Sequence, residues 1–178
     1  PSMTYPFGIT IGRDHDIYVA DTISGVFRFD GASGSFVDQI SSTSANNLAF
    51  GSDHNLYVIH HNTIVRYDQN GASLGVFATA PHVGAYYDLA FGPDGNLYVS
   101  SRGPDRIDKF DGSTGAFIGL FIDYGPSGVF DPRRIIFHSD GFMYVVSEDS
   151  NEIRRFDPAS GALIDIFASG SNLSECAG

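Results

Sequence analysis

The chain has 178 residues, with 10 Lys and Arg against 21 Asp and Glu, a formal charge of −11. Net acidity without a Lys/Arg cluster excludes nucleic acid as a partner, because phosphate-backbone affinity comes from neutralising charge. No apolar run approaches the roughly 18 residues of a membrane span, and the single cysteine, Cys176, excludes an internal disulfide framework.

Pro1 opens the sequence without Met or a basic-then-apolar leader, so a targeting segment is expected to be absent or removed. Four 14-residue blocks along the chain align with one another without gaps. They are GITIGRDHDIYVAD from Gly8, NLAFGSDHNLYVIH from Asn47, DLAFGPDGNLYVSS from Asp88 and RIIFHSDGFMYVVS from Arg134, spaced 39, 41 and 46 residues apart. Each block is followed by a second motif, in turn VFRFDGASG, IVRYDQNGAS, IDKFDGSTG and IRRFDPASG. Each unit closes on an apolar stretch, SFVDQI, SLGVFA, AFIGLF or ALIDIF.

Apolar residues within the units are spaced by two, as in Ile9/Ile11, Leu48/Phe50, Leu89/Phe91 and Ile135/Phe137, which is the period of a strand. Asp94-Gly95 and Asp140-Gly141, with Asp14-His15 and Asp53-His54, supply turn residues that tolerate positive φ. The pattern predicts four antiparallel strands per unit. Strand A lies near 8–12, 47–51, 88–92 and 134–138, and strand B near 16–21, 55–60, 96–101 and 142–147. Strand C lies near 25–30, 63–68, 106–111 and 152–157, and strand D near 35–40, 73–78, 116–122 and 162–167.

A four-stranded sheet repeated at about 40 residues is the sequence form of a β-propeller blade. The expected fold is all-β, with blades at about 5–40, 46–78, 86–122 and 132–168 in a repeat domain spanning 1–168, and a tail at 169–178. Tyr18, Tyr57, Tyr98 and Tyr144 repeat on strand B, and Phe29, Tyr67, Phe110 and Phe156 on strand C, as fillers between twisted sheets.

There is no Trp for a WD-type repeat and no repeated Gly pair for a kelch-type one. The run of a short apolar strand, P/S-D-G-N, L-Y-V and I-x-[RK]-[FY]-D resembles the NHL repeat and its gluconolactonase-like relatives over all four units. The third unit is nearest; the first has His15-Asp16 where Gly-Asn is usual, and the fourth His138-Ser139 where Gly-Pro is usual. The resemblance implies a propeller, a fold that hosts lyases, lactonases and interaction domains alike. Such propellers usually have six blades. The four units therefore leave three arrangements open: a closed four-blade ring, four blades of a larger propeller, or an arc completed by another copy. Because the first unit opens on a strand A and the last closes on a strand D, a four-blade ring would need no borrowed strand to close.

In a propeller the B–C and D–A connections share one face around the channel mouth. Here the B–C loops are 21–25, 60–63, 101–106 and 147–152, the D–A connections 41–47, 79–88 and 123–134, and both vary between units as a binding surface requires. Aromatic and Arg residues are enriched in contact surfaces. The binding candidates are His60, Tyr86, Tyr87, Arg102, Asp131, Arg133 and Arg134, with Tyr124 and Phe130 beside them. Asp21, Asn47, His60 and Asp88 align at strand ends facing the mouth, and form a candidate set for a divalent cation, Ca or Zn. The simpler reading is that they bond exposed backbone there. His60-His61 adds little, since neighbours on a strand point to opposite faces.

Asp14, Asp53, Asp94 and Asp140 read as turn formers on the opposite face. Arg28/Asp30, Arg66/Asp68, Lys109/Asp111 and Arg155/Asp157, at i, i+2, are expected to pair on the strand faces or across blades. Cys176 has no base nearby in sequence, Asn172-Leu173-Ser174 fits a glycosylation sequon, and no nucleophile elbow, H-E-x-x-H or phosphate loop occurs. Two function classes remain. The favoured one is an interaction module binding protein or glycan through the variable face, with no cofactor, as a scaffold, homo-oligomer or assembly subunit. The alternative is a metal-dependent lactonase- or lyase-like enzyme with a cation at the channel mouth, against which Arg134 counts. One Lys against nine Arg, and abundant Gly and Ser, suit a secreted or periplasmic protein.

Overall fold

The computed structural model describes residues 2–170, and no helix occurs among them. Sixteen strands follow in chain order. They are β1 Pro6–Ile11, β2 Ile17–Asp21, β3 Gly25–Phe29, β4 Phe36–Ser41, β5 Leu48–Phe50, β6 Leu56–His60, β7 Thr63–Tyr67 and β8 Ser73–Thr79. The second half contributes β9 Ala85–Phe91, β10 Leu97–Arg102, β11 Arg106–Phe110, β12 Phe117–Ile122, β13 Pro132–Phe137, β14 Met143–Ser147, β15 Glu152–Phe156 and β16 Leu163–Ser169. They form four antiparallel sheets in the orders β1-β2-β3-β4, β5-β6-β7-β8, β9-β10-β11-β12 and β13-β14-β15-β16, the blades of a four-bladed β-propeller fold. Cys176 and the Asn172 sequon lie outside the described residues.

The strands fall within three residues of those expected. The main differences are β1, β9 and β13, which start two or three residues early. There the ladder runs on into the preceding loop through a bulge, with register shifts at Pro6/Gly8, Ser100/Ser101 and Pro132/Ile135. The outermost strand of every blade is also bulged twice against its neighbour, which twists the sheet edge.

The A–B turns are near copies. Each turn Asp uses Oδ1 to accept the N–H two residues on, from Asp16, Asn55, Asn96 or Phe142, at 3.0–3.2 Å. The residue after it is left-handed, His15 and His54 at φ 67°, Gly95 at 78° and Gly141 at 90°, which is why Asp-His and Asp-Gly are interchangeable here. Oδ2 of each Asp accepts the hydroxyl of the strand-B tyrosine, Tyr18, Tyr57, Tyr98 or Tyr144, at 2.6–3.0 Å. Burial and the facing carboxylate push the Tyr18 phenol up to about 12, and burial does the same to Tyr57.

Directly across from each tyrosine on strand C stands a cation, Arg28, Arg66, Lys109 or Arg155. These cations do not pair with the Asp two residues on. Arg28 and Arg155 clamp Asp38 and Asp165 of the outer strand through two bonds each. Arg66 lies 3.8 Å from Asp53 and Lys109 2.9 Å from Asp94, and the outer-strand position that holds Asp38 or Asp165 elsewhere is Gly75 or Gly119 in those blades. Asp30, Asp68, Asp111 and Asp157 instead hold the C–D turns by accepting N–H groups two to four residues on.

The chain divides into two compact units, Pro1–Thr79 and Ala80–Gly178, of two blades each. In the first, Tyr18, Ala20 and Val26 pack on Leu48, Leu56 and Val58, with Tyr18 edge-on to Phe50 at 5.0 Å. In the second, Tyr98 and Ile107 pack with Ile135, Met143, Val145 and Phe156, and Tyr98 lies 5.0 Å from Phe137. Phe110 and Phe156 are both fully buried. Truncating either to Ala is expected to cost about 3–5 kcal/mol in urea unfolding, the range for a buried aromatic; a loss below about 1 kcal/mol would contradict this packing.

Candidate functional site

The B–C and D–A connections leave the same end of each meander and are stitched to one another. In the first unit Thr22 N–H donates to Tyr5 O, Ala45 N–H to Asp21 O, and the Ser44 hydroxyl to Thr22 O, all within 3.0 Å. Asp21, fully buried, accepts four backbone amides, Thr4 and Tyr5 on Oδ2 and Ile23 and Ser24 on Oδ1, at 2.6–2.9 Å. Burial alone would push its carboxyl up, but the four amides outweigh this and hold it below the usual carboxylate range. Asn47 accepts its neighbour's Leu48 N–H on Oδ1 at 2.9 Å, and Ile59 N–H on its carbonyl.

His60 is buried, its Nδ1 2.7 Å from Ser44 O and its Nε2 3.1 Å from the Tyr67 hydroxyl. A carbonyl only accepts, so Nδ1 carries the proton and Nε2 accepts from Tyr67. Burial pushes the ring below its usual range, partly opposed by the Ser44 bond.

In the second unit the loop end is more highly charged. Asp88 is buried; its Oδ2 accepts Ile135 N–H at 2.7 Å, and its Oδ1 lies 3.6 Å from Arg134. Arg102 donates to the Tyr87 hydroxyl at 2.9 Å, and the Arg133 guanidinium sits over the Tyr87 ring at 4.2 Å. Arg133 also pairs with Asp131 at 3.1 Å and with Glu148, and Arg102 approaches Asp131 at 3.9 Å. Asp131 is left-handed at φ 43° and buried; burial pushes its carboxyl up against the pull of the two arginines. Tyr86 is fully buried against Phe110 and His82, and burial with the Asp108 charge pushes its phenol upward.

Of the seven binding candidates, Tyr87, Arg102, Asp131 and Arg133 are therefore brought together, while Arg134 turns to Asp88. Tyr86 and His60 lie beneath the surface. Arg133, expected to be exposed, has a side chain only 12% accessible. The sequence reading missed two further groups. Asp108, fully buried, holds His82 at 2.5 Å and Arg106 at 3.0 Å. Arg154 donates to the carbonyls of Gly125, Pro126 and Gly128 and lies over Phe130. Asp108 and Arg154 occupy the same middle position of strand C, and each anchors the D–A loop that precedes its own blade. The shared position was the available signal: Phe27 and Val65 stand there in the other blades.

The ligating atoms of the metal candidates are thus engaged with backbone or neighbouring side chains. Among the described residues no group of three or more His, Cys, Asp or Glu is arranged to hold a metal ion. What the loop end offers chemically is charged and aromatic contact surface on a hydrogen-bonded base.

No family model matches the chain, and no curated protein matches it in sequence. Solved structures do. The chain is similar to virginiamycin B lyase from Staphylococcus aureus, at 18% identity and a TM-score of 0.74, over 96% of this chain and 57% of the lyase. An auxiliary nutrient binding protein from Bacteroides ovatus matches at 17% identity and 0.75, over 92% and 47%. A candidate gluconolactonase matches at 14% and 0.73, over 89% and 62%. These likenesses establish a propeller-type repeat fold, and the chain spans about half the length of the structures it matches.

The His60 ring gives a pH test. Its folded-state range lies below the ordinary 6.5, so the unfolded chain binds the proton more readily. Stability from this ring is complete above about pH 6.5 and is lost as pH falls below it, until the folded ring itself protonates. The Tm of the chain is expected to fall between about pH 7 and pH 5 more steeply than that of His60→Gln. Parallel Tm profiles would contradict a neutral, buried His60.

Proposed function

We propose that this chain is a binding module that engages a protein or glycan through the loop end of its blades. The reading is carried by one observation in the second unit. Arg102, with 57% of its side chain exposed, is held against Tyr87, while Arg133, Asp131 and Glu148 form the largely buried support beneath. Tyr124, 61% exposed and edge-on to Phe130, extends the aromatic surface, and Arg154 fixes the loop that carries it. An Arg and two Tyr rings on a rigid base are the groups that contact surfaces favour. We read the repeats as NHL-like on the strength of the third unit, and the low proportion of charged residues, 17%, with Gly- and Ser-rich loops supports export to an extracellular or periplasmic setting.

The matching test is to probe glycan and peptide arrays with the labelled chain. Arg102→Ala and Tyr124→Ala are expected to remove the hits while changing stability by less than about 0.5 kcal/mol, as exposed substitutions do. Ser52→Lys, in an A–B turn at the opposite end, is expected to keep them. Arg133→Glu is unsuitable as a probe, since it puts a third carboxylate beside Asp131 and Glu148 and is expected to cost about 3 kcal/mol. Loss of hits with Ser52→Lys but not with the loop variants, or an absence of hits on both arrays, would overturn the reading.

A further inference from the structure

Two blade faces are open, and they have the character of the two halves of one interface. In the first unit the Tyr18 face of β1–β4 is covered by strand β5, which brings Leu48, 4% exposed, and Phe50. In the second unit the Tyr98 face of β9–β12 is covered by β13, which brings Ile135, 4% exposed, and Phe137. The rule is the same both times: a tyrosine face receives the next strand A through two apolar residues spaced by two.

The last blade has the tyrosine face and, among the described residues, nothing of this kind on it. Tyr18, Tyr57 and Tyr98 are buried, but Tyr144 is only half-buried. Beside it Ile136 and Phe167 are 53% and 57% exposed, and with Arg134, Val146 and Ile153 they line an open cavity of about 300 Å³. The first blade has the matching strand. Ile9 and Ile11 of β1 align with Leu48/Phe50 and Ile135/Phe137, yet are 58% and 66% exposed.

We propose that the chain pairs head to tail with a second copy of itself, β1 of one copy seating Ile9 and Ile11 on the Tyr144 face of the other. One observation favours a second copy as the occupant. What covers this kind of face inside both units is a strand A of the same repeat, and β1 is the strand A whose apolar pair lies exposed. The contact is heterologous, because two different faces meet, and a pair of copies satisfies all four faces at once.

The test is particle mass by light scattering on the chain at micromolar concentration. The expected result is twice the 19.2 kDa chain mass. Ile11→Asp and Ile136→Asp, each at an exposed position, are expected to leave circular dichroism unchanged and to halve the mass. Mixing the two variants is expected to restore a dimer, since one retains an intact Tyr144 face and the other an intact β1 face. Ile9→Asp repeats the β1 test independently. A wild-type mass of one chain, a dimer indifferent to both substitutions, or a mixture that stays monomeric would each overturn the proposal.

Discussion

A four-stranded sheet with two apolar faces is not stable until both are covered, and this fold covers them by interleaving. The tyrosine second in strand B is the hinge of that arrangement. Its ring meets the next strand A, as Tyr18 meets Phe50 and Tyr98 meets Phe137. Its hydroxyl cannot go unpaired in such a place, and the turn Asp four residues earlier accepts it. One carboxylate therefore closes the A–B turn and satisfies the buried phenol, and the cation across the sheet balances its charge. Asp94 shows the result: burial raises its carboxyl, but Lys109 and the turn amides outweigh burial and bring it down to about 2.

The two ends of a blade are consequently under different constraints. At the turn end, Asp, a left-handed residue and Tyr must stand at fixed offsets, so the four turns are nearly identical. The loop end has no such obligation beyond pairing its backbone groups. It meets that need with different side chains each time: Asp21 with four amides, Asp88 with Ile135 N–H, Ser147 with Phe130, and Arg154 with three carbonyls. Freedom of composition above a satisfied base is what allows Arg102 and Tyr124 to be presented outward.

The strands were legible because their period of two is repeated four times, and the turns because Asp-Gly and Asp-His announce a left-handed residue. The tyrosines were legible as filler but not as hydroxyl donors, since that bond depends on how the hairpin folds back over four residues. Depth was the main thing hidden. His60, Tyr86 and Arg133 sit at strand ends and Asp131 in the loop beside one, where sequence carries no alternation to mark an inward side. His82 and Asp108 are 26 residues apart on different elements, so only the folded blade joins them. The Arg/Asp pairs at i, i+2 misled because Asp30 and its counterparts meet a nearer demand, the amides of the C–D turn.

The account stands or falls on the tyrosine of one blade and the strand A of the next acting together. A double-mutant cycle on Tyr98→Ala and Phe137→Ala measures this directly by urea unfolding. Rings 5.0 Å apart are expected to couple by about 0.5–1.5 kcal/mol beyond the cost of burial. Additive losses, with a coupling indistinguishable from zero, would show that the blades are held together by something other than this contact.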